Sequence, residues 1–189
     1  PSLKDVTGIV VHSALERTGQ FECSSPLINQ LYHNIIWGQK GNYVYVPTDC
    51  PQRDERAGWT GDTQFFIPTA AYNYNIAPFF TRWLTTINED SQHPDGSIAH
   101  VAPDAGIGGG SVAWGDAAII CTYNIYHTYG DTRVIADHFP AMERLMSFYA
   151  SKSKGLIPNI GGFGDWLNLG GSASREVTDT AYYAYMSGL

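Results

Sequence analysis

The chain has 189 residues, 43% of them hydrophobic, enough for one domain with a real core. A net charge of −7 argues against nucleic-acid partners, whose phosphates need a basic footprint, and no apolar run or basic amphipathic stretch suggests a membrane. The three cysteines, Cys23, Cys50 and Cys121, are odd in number and far apart, so neither a metal site nor a disulfide framework is indicated.

Residues 1–22 carry Val6, Ile9, Val10 and Val11 before a Thr18-Gly19 turn signal, which predicts one or two strands from a preceding β domain or linker. From residue 23 the pattern turns helical. Ser25 and Pro26 open a helix with Leu27, Ile28, Leu31, Ile35 and Ile36 on one side. A charged loop follows. Phe66, Ile67, Ala70, Ala71 and Tyr74 then recur at a helical period from Thr63 onward. Asn75 restarts a helix with Phe80, Trp83, Leu84 and Ile87 in phase, and a glycine-rich loop spans Ser91 to Ser111. Trp114, Ala117, Ala118, Cys121 and Ile125 form the next stripe, closed by Gly130-Asp131. Met142, Leu145, Met146 and Tyr149 mark another helix. A second glycine-rich loop covers Lys152 to Glu176, and a last helix begins near Val177. The start resembles no signal peptide and lacks Met, and the end stops inside an apolar pattern. Both predict a piece of a longer protein and leave its compartment unread.

The connections alternate long, short, long, short, long. In a stack of antiparallel helices every second connection lies on the same face, so the three long loops are expected to share one face. Loops this long are uncommon unless functional or disordered, and these are rich in Trp and Asp. The first holds the densest chemistry. Thr48 to Asp62 packs four carboxylates, two guanidiniums and an indole around Pro51, Gly58 and Gly61. Carboxylates accept sugar hydroxyls, arginines hold carboxylates in place, and an indole stacks on an apolar sugar face.

Each candidate has a plain structural alternative. Glu55 as a general acid competes with a solvated surface charge. Asp62 competes with an N-cap for a helix starting at Thr63. Arg53 competes with an ion pair to Asp49 or Asp54. Asp116 and Asp165 read as caps, sugar ligands or both. Trp59, Trp114 and Trp166 sit in loops and suit stacking, whereas Trp37 and Trp83 sit in helices and suit a core. The run Gly106 to Gly110 lacks the Lys-Ser/Thr of a phosphate loop, the histidines lack paired ligand spacing, and no Gly-x-Ser-x-Gly elbow exists.

Pro47-Thr48-Asp49-Cys50-Pro51-Gln52-Arg53-Asp54-Glu55-Arg56 with Gly58-Trp59-Thr60-Gly61-Asp62 resembles the signature of bacterial α-L-rhamnosidases. Phe21-Glu22-Cys23-Ser24, Trp114-Gly115-Asp116-Ala117, Tyr129-Gly130-Asp131 and Gly164-Asp165-Trp166-Leu167 extend the resemblance over most of the chain. It implies an all-α fold, about half of a six-hairpin α/α barrel over residues 23–189, with a short β segment before it. It also implies an inverting hydrolysis of terminal α-L-rhamnose without a cofactor. Glu55 would be the general acid, and Asp49, Arg53, Trp59, Asp62, Trp114 and Trp166 would line the sugar pocket. Rhamnose is a 6-deoxy sugar, and an aromatic wall accepts its methyl group. Inversion needs a second carboxylate roughly 6.5–9.5 Å from the acid, and the family's base lies beyond Leu189. Ala57 stands where a bulkier apolar residue is usual. The chain alone is therefore expected to be inactive, and its open barrel faces to favour self-association. A different α/α-barrel carbohydrate enzyme, such as a lyase, or a sugar-binding fragment are the rivals. The acidic neighbourhood of Glu55 suits hydrolysis better than a lyase.

Overall fold

The computed structural model describes residues 2–189. Six α-helices carry the architecture among them: α1 (Pro26–Asn42), α2 (Thr60–Asn73), α3 (Ala77–Asp90), α4 (Ala117–Tyr129), α5 (Thr132–Ser151) and α6 (Arg175–Gly188). They form three successive hairpins. α4 packs against α2, α3 and α5, and α3 lies beside α5. α2, α4 and α6 together line one groove, through Phe65, Ile120 and Tyr182 among others. The alternation of loop lengths holds, so these three helices all begin where the long loops end.

Local signals explain the boundaries. Ser25 occupies the N-cap position of α1 and Pro26 its first turn, where the missing N–H costs nothing. Gly130 ends α4 in the left-handed region at φ 69°, and the next residue, Asp131, caps α5 by accepting from the Arg133 N–H at 3.0 Å. That two-residue turn makes α4 and α5 antiparallel neighbours.

Residues 1–22 differ from expectation. Residue 1 lies outside the described residues, and residues 2–22 form no strand. They carry one 3-10 turn, Leu3–Asp5, and one isolated bridge from Arg17 to Tyr74. Their backbone bonds go to loop ends: Ser13 N–H donates to Tyr43 at 2.8 Å, and Thr18 N–H to Asn73 at 3.1 Å. Val6, Ile9, Val10 and Val11 stay exposed, because no sheet lies beneath them. Two antiparallel ribbons occur elsewhere instead. β1 (Tyr43–Val44) pairs with β2 (Val46–Pro47), and β3 (Ser153–Lys154) pairs with β4 (Ile157–Pro158).

The core lies between α2, α3, α4 and α5. Ile67, Phe80, Trp83, Leu84, Ile87, Ile125, Leu145 and Tyr149 are almost wholly buried. Trp83 also donates its indole N–H to the Ala102 carbonyl at 2.9 Å, which anchors the glycine-rich loop to α3. Trp37, expected in the core, is 45% exposed. It lies beside His33 with the Lys40 ammonium 4.8 Å from its ring. The α1 stripe is similarly open: Ile36 is buried, but Leu27, Ile28 and Leu31 are exposed.

Trp83→Ala removes both the largest buried side chain and this anchor. A loss of about 3–5 kcal/mol is expected, read as a lower urea midpoint.

Candidate active site

The charged loop is closed at its neck by backbone. Asp49 N–H donates to the Ala57 carbonyl at 3.1 Å, and Ala57 N–H donates to Asp49 Oδ1 at 3.1 Å. Asn42 holds the same neck, donating to the Thr48 and Asp49 carbonyls at 2.7 Å each. Residues 50–56 thus project from a fixed base. Arg56 adopts φ 46°, a left-handed conformation that a bulky residue rarely takes, and its Nε donates to the Pro51 carbonyl at 3.2 Å. Arg53 pairs with Glu55 at 3.0 Å rather than with Asp49 or Asp54, and its other arm donates to Cys50 Sγ at 2.8 Å. Ligand atoms of Asp49, Cys50 and Glu55 lie within 4.8 Å of one another. The Arg53 guanidinium contacts two of the three, supplying the positive charge this cluster calls for. The Glu55 side chain is 35% exposed.

The two glycines of the motif are spatial requirements. A Cβ on Gly58 would stand 2.3 Å from the Ala102 carbonyl oxygen, and one on Gly61 would stand 2.7 Å from the Trp114 indole nitrogen. Between them, residues 58–60 pair with residues 100–102. Ala102 N–H donates to Gly58 at 2.9 Å, and Thr60 N–H donates to His100 at 3.0 Å. This ladder lays Trp59 over the His100 imidazole, with centroids 6.3 Å apart and planes at 11°.

The three loop tryptophans meet around a residue the sequence did not single out. The Phe163 ring lies 6.0 Å from Trp59, 4.6 Å from Trp114 and 5.5 Å from Trp166. Trp114 and Trp166 also touch edge to face at 6.3 Å. Trp114 is largely buried, whereas Trp166 is 61% exposed.

A cavity of about 330 Å³ opens against Trp114 and Trp166. Asp62, Phe65, Asp165, Asp179 and Tyr182 also line it. Asp62 is shared with a second cavity that reaches Asp49 and Thr48, so it links the charged loop to the indoles. Asp62 is not the cap of α2. Trp59 holds that position and the helix begins at Thr60, which puts Asp62 in the first turn. Partial burial pushes the Asp62 carboxyl up, and the charges of Asp49 and Glu55 push it the same way. Burial raises Asp179 as well, against backbone N–H groups of Ile160 and Gly161 that hold it down.

Asp116 holds the N-cap position of α4 without a side-chain capping bond. It is fully buried at the start of α4. Its carboxylate accepts from the Ala113 N–H at 2.7 Å and from the Tyr149 hydroxyl. Ala113 sits at φ 66°, and Gln64 donates to its carbonyl. Asp116 therefore holds the strained turn that aims Trp114. Desolvation raises its pKa to about 7, with Asp179 adding to the rise and the two hydrogen bonds opposing it. Asp165 is exposed, accepting from Asn168 and from the Ala173 N–H at 3.3 Å.

Sequence reasoning missed Phe65, His100, Phe163, Asp179 and Tyr182. Phe65 follows Asp62 by one helical turn, a spacing legible once α2 is known to start at Thr60. His100, Phe163, Asp179 and Tyr182 enter through tertiary contacts.

Residues 16–189 match the family described as the bacterial alpha-L-rhamnosidase 6 hairpin glycosidase domain. An alpha-L-rhamnosidase of Streptomyces avermitilis is 43% identical over all of this chain, which spans 18% of that protein. The crystal structure of the Streptomyces avermitilis alpha-L-rhamnosidase complexed with L-rhamnose superposes with a TM-score of 0.90 at 42% identity, covering 94% of this chain and 17% of that one. The alpha-L-rhamnosidase from Dictyoglumus thermophilum gives 0.91 at 37% identity, covering 98% and 21%. The chain thus spans about a fifth of its relatives' length.

Gly61→Ala forces a methyl into the Trp114 ring. A loss of about 1–3 kcal/mol is expected in thermal or urea unfolding. Asp116 yields a pH test. Between roughly pH 4 and 7 the folded chain keeps a proton on Asp116 that the unfolded chain releases, so its contribution to stability falls as pH rises through that window. Burial depresses His100 and His138, which act in the opposite sense and cost stability as pH falls below their ordinary range. Asp116→Asn leaves the histidines in place. Its Tm is expected to gain on the wild type as pH rises from about 5 to 8. A constant Tm difference would remove Asp116 from this titration.

Proposed function

This chain belongs to the six-hairpin glycosidase domain family of bacterial α-L-rhamnosidases, and from that premise we propose that it carries the acid half of an inverting rhamnoside-hydrolysing site. In this reading three of the six hairpins lie here, within a catalytic domain that begins near residue 23. The observation that carries the proposal is the placing of Asp62, at the junction of the charged loop and the indole-walled cavity. One carboxylate there reaches the same bound sugar as the acid loop.

Glu55 donates the proton to the leaving oxygen. The Arg53 guanidinium occupies the Glu55 carboxyl in the free site, so Arg53 exchanges Glu55 for substrate as the sugar binds. Arg53 is placed to do this, since its planar head already divides between Glu55 and Cys50. Asp49 and Asp62 take ring hydroxyls. Trp114 and Trp166 cover an apolar face and the C6 methyl, and Trp59 completes the wall. The long loops that lead into α2, α4 and α6 help to line this site. The negative field of its carboxylates stabilises the oxocarbenium-like transition state. The water-activating base comes from outside residues 1–189, so the segment alone does not turn over substrate. The exposed apolar faces of α1 and α6, with Leu27, Leu31, Val177 and Tyr185, suit further hairpins or a second copy.

One observation favours a second assignment of the acid. Asp62, like Asp179, is a carboxyl whose burial favours a held proton at the cavity, and Asp62 alone of the two also borders the cavity that reaches Asp49. Glu55→Gln and Asp62→Asn in the full-length enzyme separate the two. Loss of the acid lowers kcat by about 10²–10⁴-fold on a poor leaving group and far less on dinitrophenyl α-L-rhamnoside, whose departure needs no proton. That pattern is expected for Glu55→Gln, with Asp62→Asn raising KM instead. The reverse pattern moves the acid to Asp62, and loss of binding alone in Glu55→Gln reduces Glu55 to a hydrogen-bond acceptor.

A further inference from the structure

We propose that His100, Ser111 and Phe163 form a clamp that sets the spacing of the three loop tryptophans, making His100 and Phe163 positioning residues for the sugar. The role rests on the functional reading above. The clamp itself rests on geometry alone.

Ser111 is the hub. It is buried, and its hydroxyl lies 2.6 Å from His100 Nε2. Its carbonyl accepts from the Trp114 and Gly115 N–H groups at 3.3 and 3.1 Å, which starts the turn into α4. Gly162, beside Phe163, presses against it. A Cβ at Gly162 would stand 2.4 Å from Ser111 Oγ, and its φ of 114° is open to glycine but to few other residues. One serine therefore ties the second long loop to the third.

His100 transmits the arrangement to the first loop. Its carbonyl accepts from the Thr60 N–H and hydroxyl, at 3.0 and 2.9 Å, at the start of α2. Its ring lies against Trp59, and Phe163, 4.8 Å away, touches both rings. The glycine-rich loop wraps this ring. His100 N–H donates to Gly108 at 2.9 Å, and Nδ1 faces the Ile107 carbonyl at 3.3 Å. A carbonyl only accepts, so Nδ1 carries the hydrogen. In the neutral ring Nε2 is then left to accept from the Ser111 hydroxyl. Burial disfavours the charged ring, with His93 acting the same way and Asp104 opposing. The run Gly106 to Gly110, which has no phosphate to bind, thus has a structural task.

Phe163 joins the remaining rings. It is 36% exposed and meets Trp59, Trp114 and Trp166 at once. Without it no described ring spans from Trp59 to the Trp114–Trp166 pair. The indoles would then find the sugar face only by ordering themselves on binding, which weakens affinity without touching the proton transfer.

The test uses Phe163→Leu, His100→Gln and Phe163→Tyr. Gln keeps a partner for Ser111 but loses the ring, and Tyr keeps the ring. In this chain, Phe163→Leu and His100→Gln are expected to lose near-ultraviolet circular dichroism with the far-ultraviolet spectrum intact, and Phe163→Tyr to keep both. In the full-length enzyme on an aryl α-L-rhamnoside, the first two are expected to raise KM about five- to tenfold with kcat within about twofold, the loss of one aromatic pair. Phe163→Tyr is expected to restore KM. An unchanged near-ultraviolet spectrum in Phe163→Leu overturns the clamp. A lost spectrum with unchanged KM overturns the placing of the sugar on these indoles, and with it the positioning role. A fall in kcat at constant KM also overturns the role. Should Phe163→Leu fail to fold, His100→Gln and Phe163→Tyr decide by the same criteria.

Discussion

Residues 58–60 pair with residues 100–102, and the site is built outward from that short ladder. Two long loops meet there with no side chain between them, because Gly58 lies against the Ala102 carbonyl. The same ladder begins α2, through the His100 carbonyl and Thr60, and seats Trp59 on the His100 ring. It also meets the core: Ala102 accepts the indole N–H of Trp83, which is wholly buried on α3. The charged loop is thereby tied to the buried core of the molecule. Catalytic geometry needs such support, since small displacements cost large factors in rate.

A second constraint lies under Trp114. Ala113 holds a left-handed conformation that alanine pays for in strain, and a buried carboxylate, Asp116, offsets it with a hydrogen bond to its N–H. Burying Asp116 raises its pKa towards neutrality. Its two oxygens are divided between its partners, Oδ2 accepting from the Ala113 N–H and Oδ1 from the Tyr149 hydroxyl. The turn that aims Trp114 is thus shielded from solvent, while the charge of Asp179 at the cavity still acts on Asp116.

The outer surface contrasts with this interior. α1 buries Ile36 and Gln39 against α2, with the Gln39 amide donating to the Ala70 carbonyl at 3.2 Å, yet leaves Leu27, Ile28 and Leu31 open. Val177 and Tyr185 of α6 are open too. These faces stand at the two ends of the three-hairpin row. A row of hairpins closed into a ring would cover both, and the family's six-hairpin description gives such a ring.

Sequence alone determined the helix order, the alternation of long and short connections, and the family. Each of these follows from local pattern: apolar residues at a helical period, Pro26 and Gly130 at helix ends, and a run of fifteen residues from Thr48 to Asp62 too specific to arise by chance. It also singled out the three loop tryptophans and Asp62. It misread residues 2–22 as strands, since the β-branched Val6, Ile9, Val10 and Val11 do not reveal whether a partner sheet exists. It misplaced Trp37, whose helical phase looks inward but whose helix sits at an edge. Tertiary structure decided the partners. Arg53 took Glu55, Asp116 took Ala113 and Tyr149, and Phe163 joined rings from three loops. The contacts of Asp116 with Tyr149 and of Phe163 with Trp59 join residues far apart in the chain, and no local pattern encodes which distant side chain will arrive.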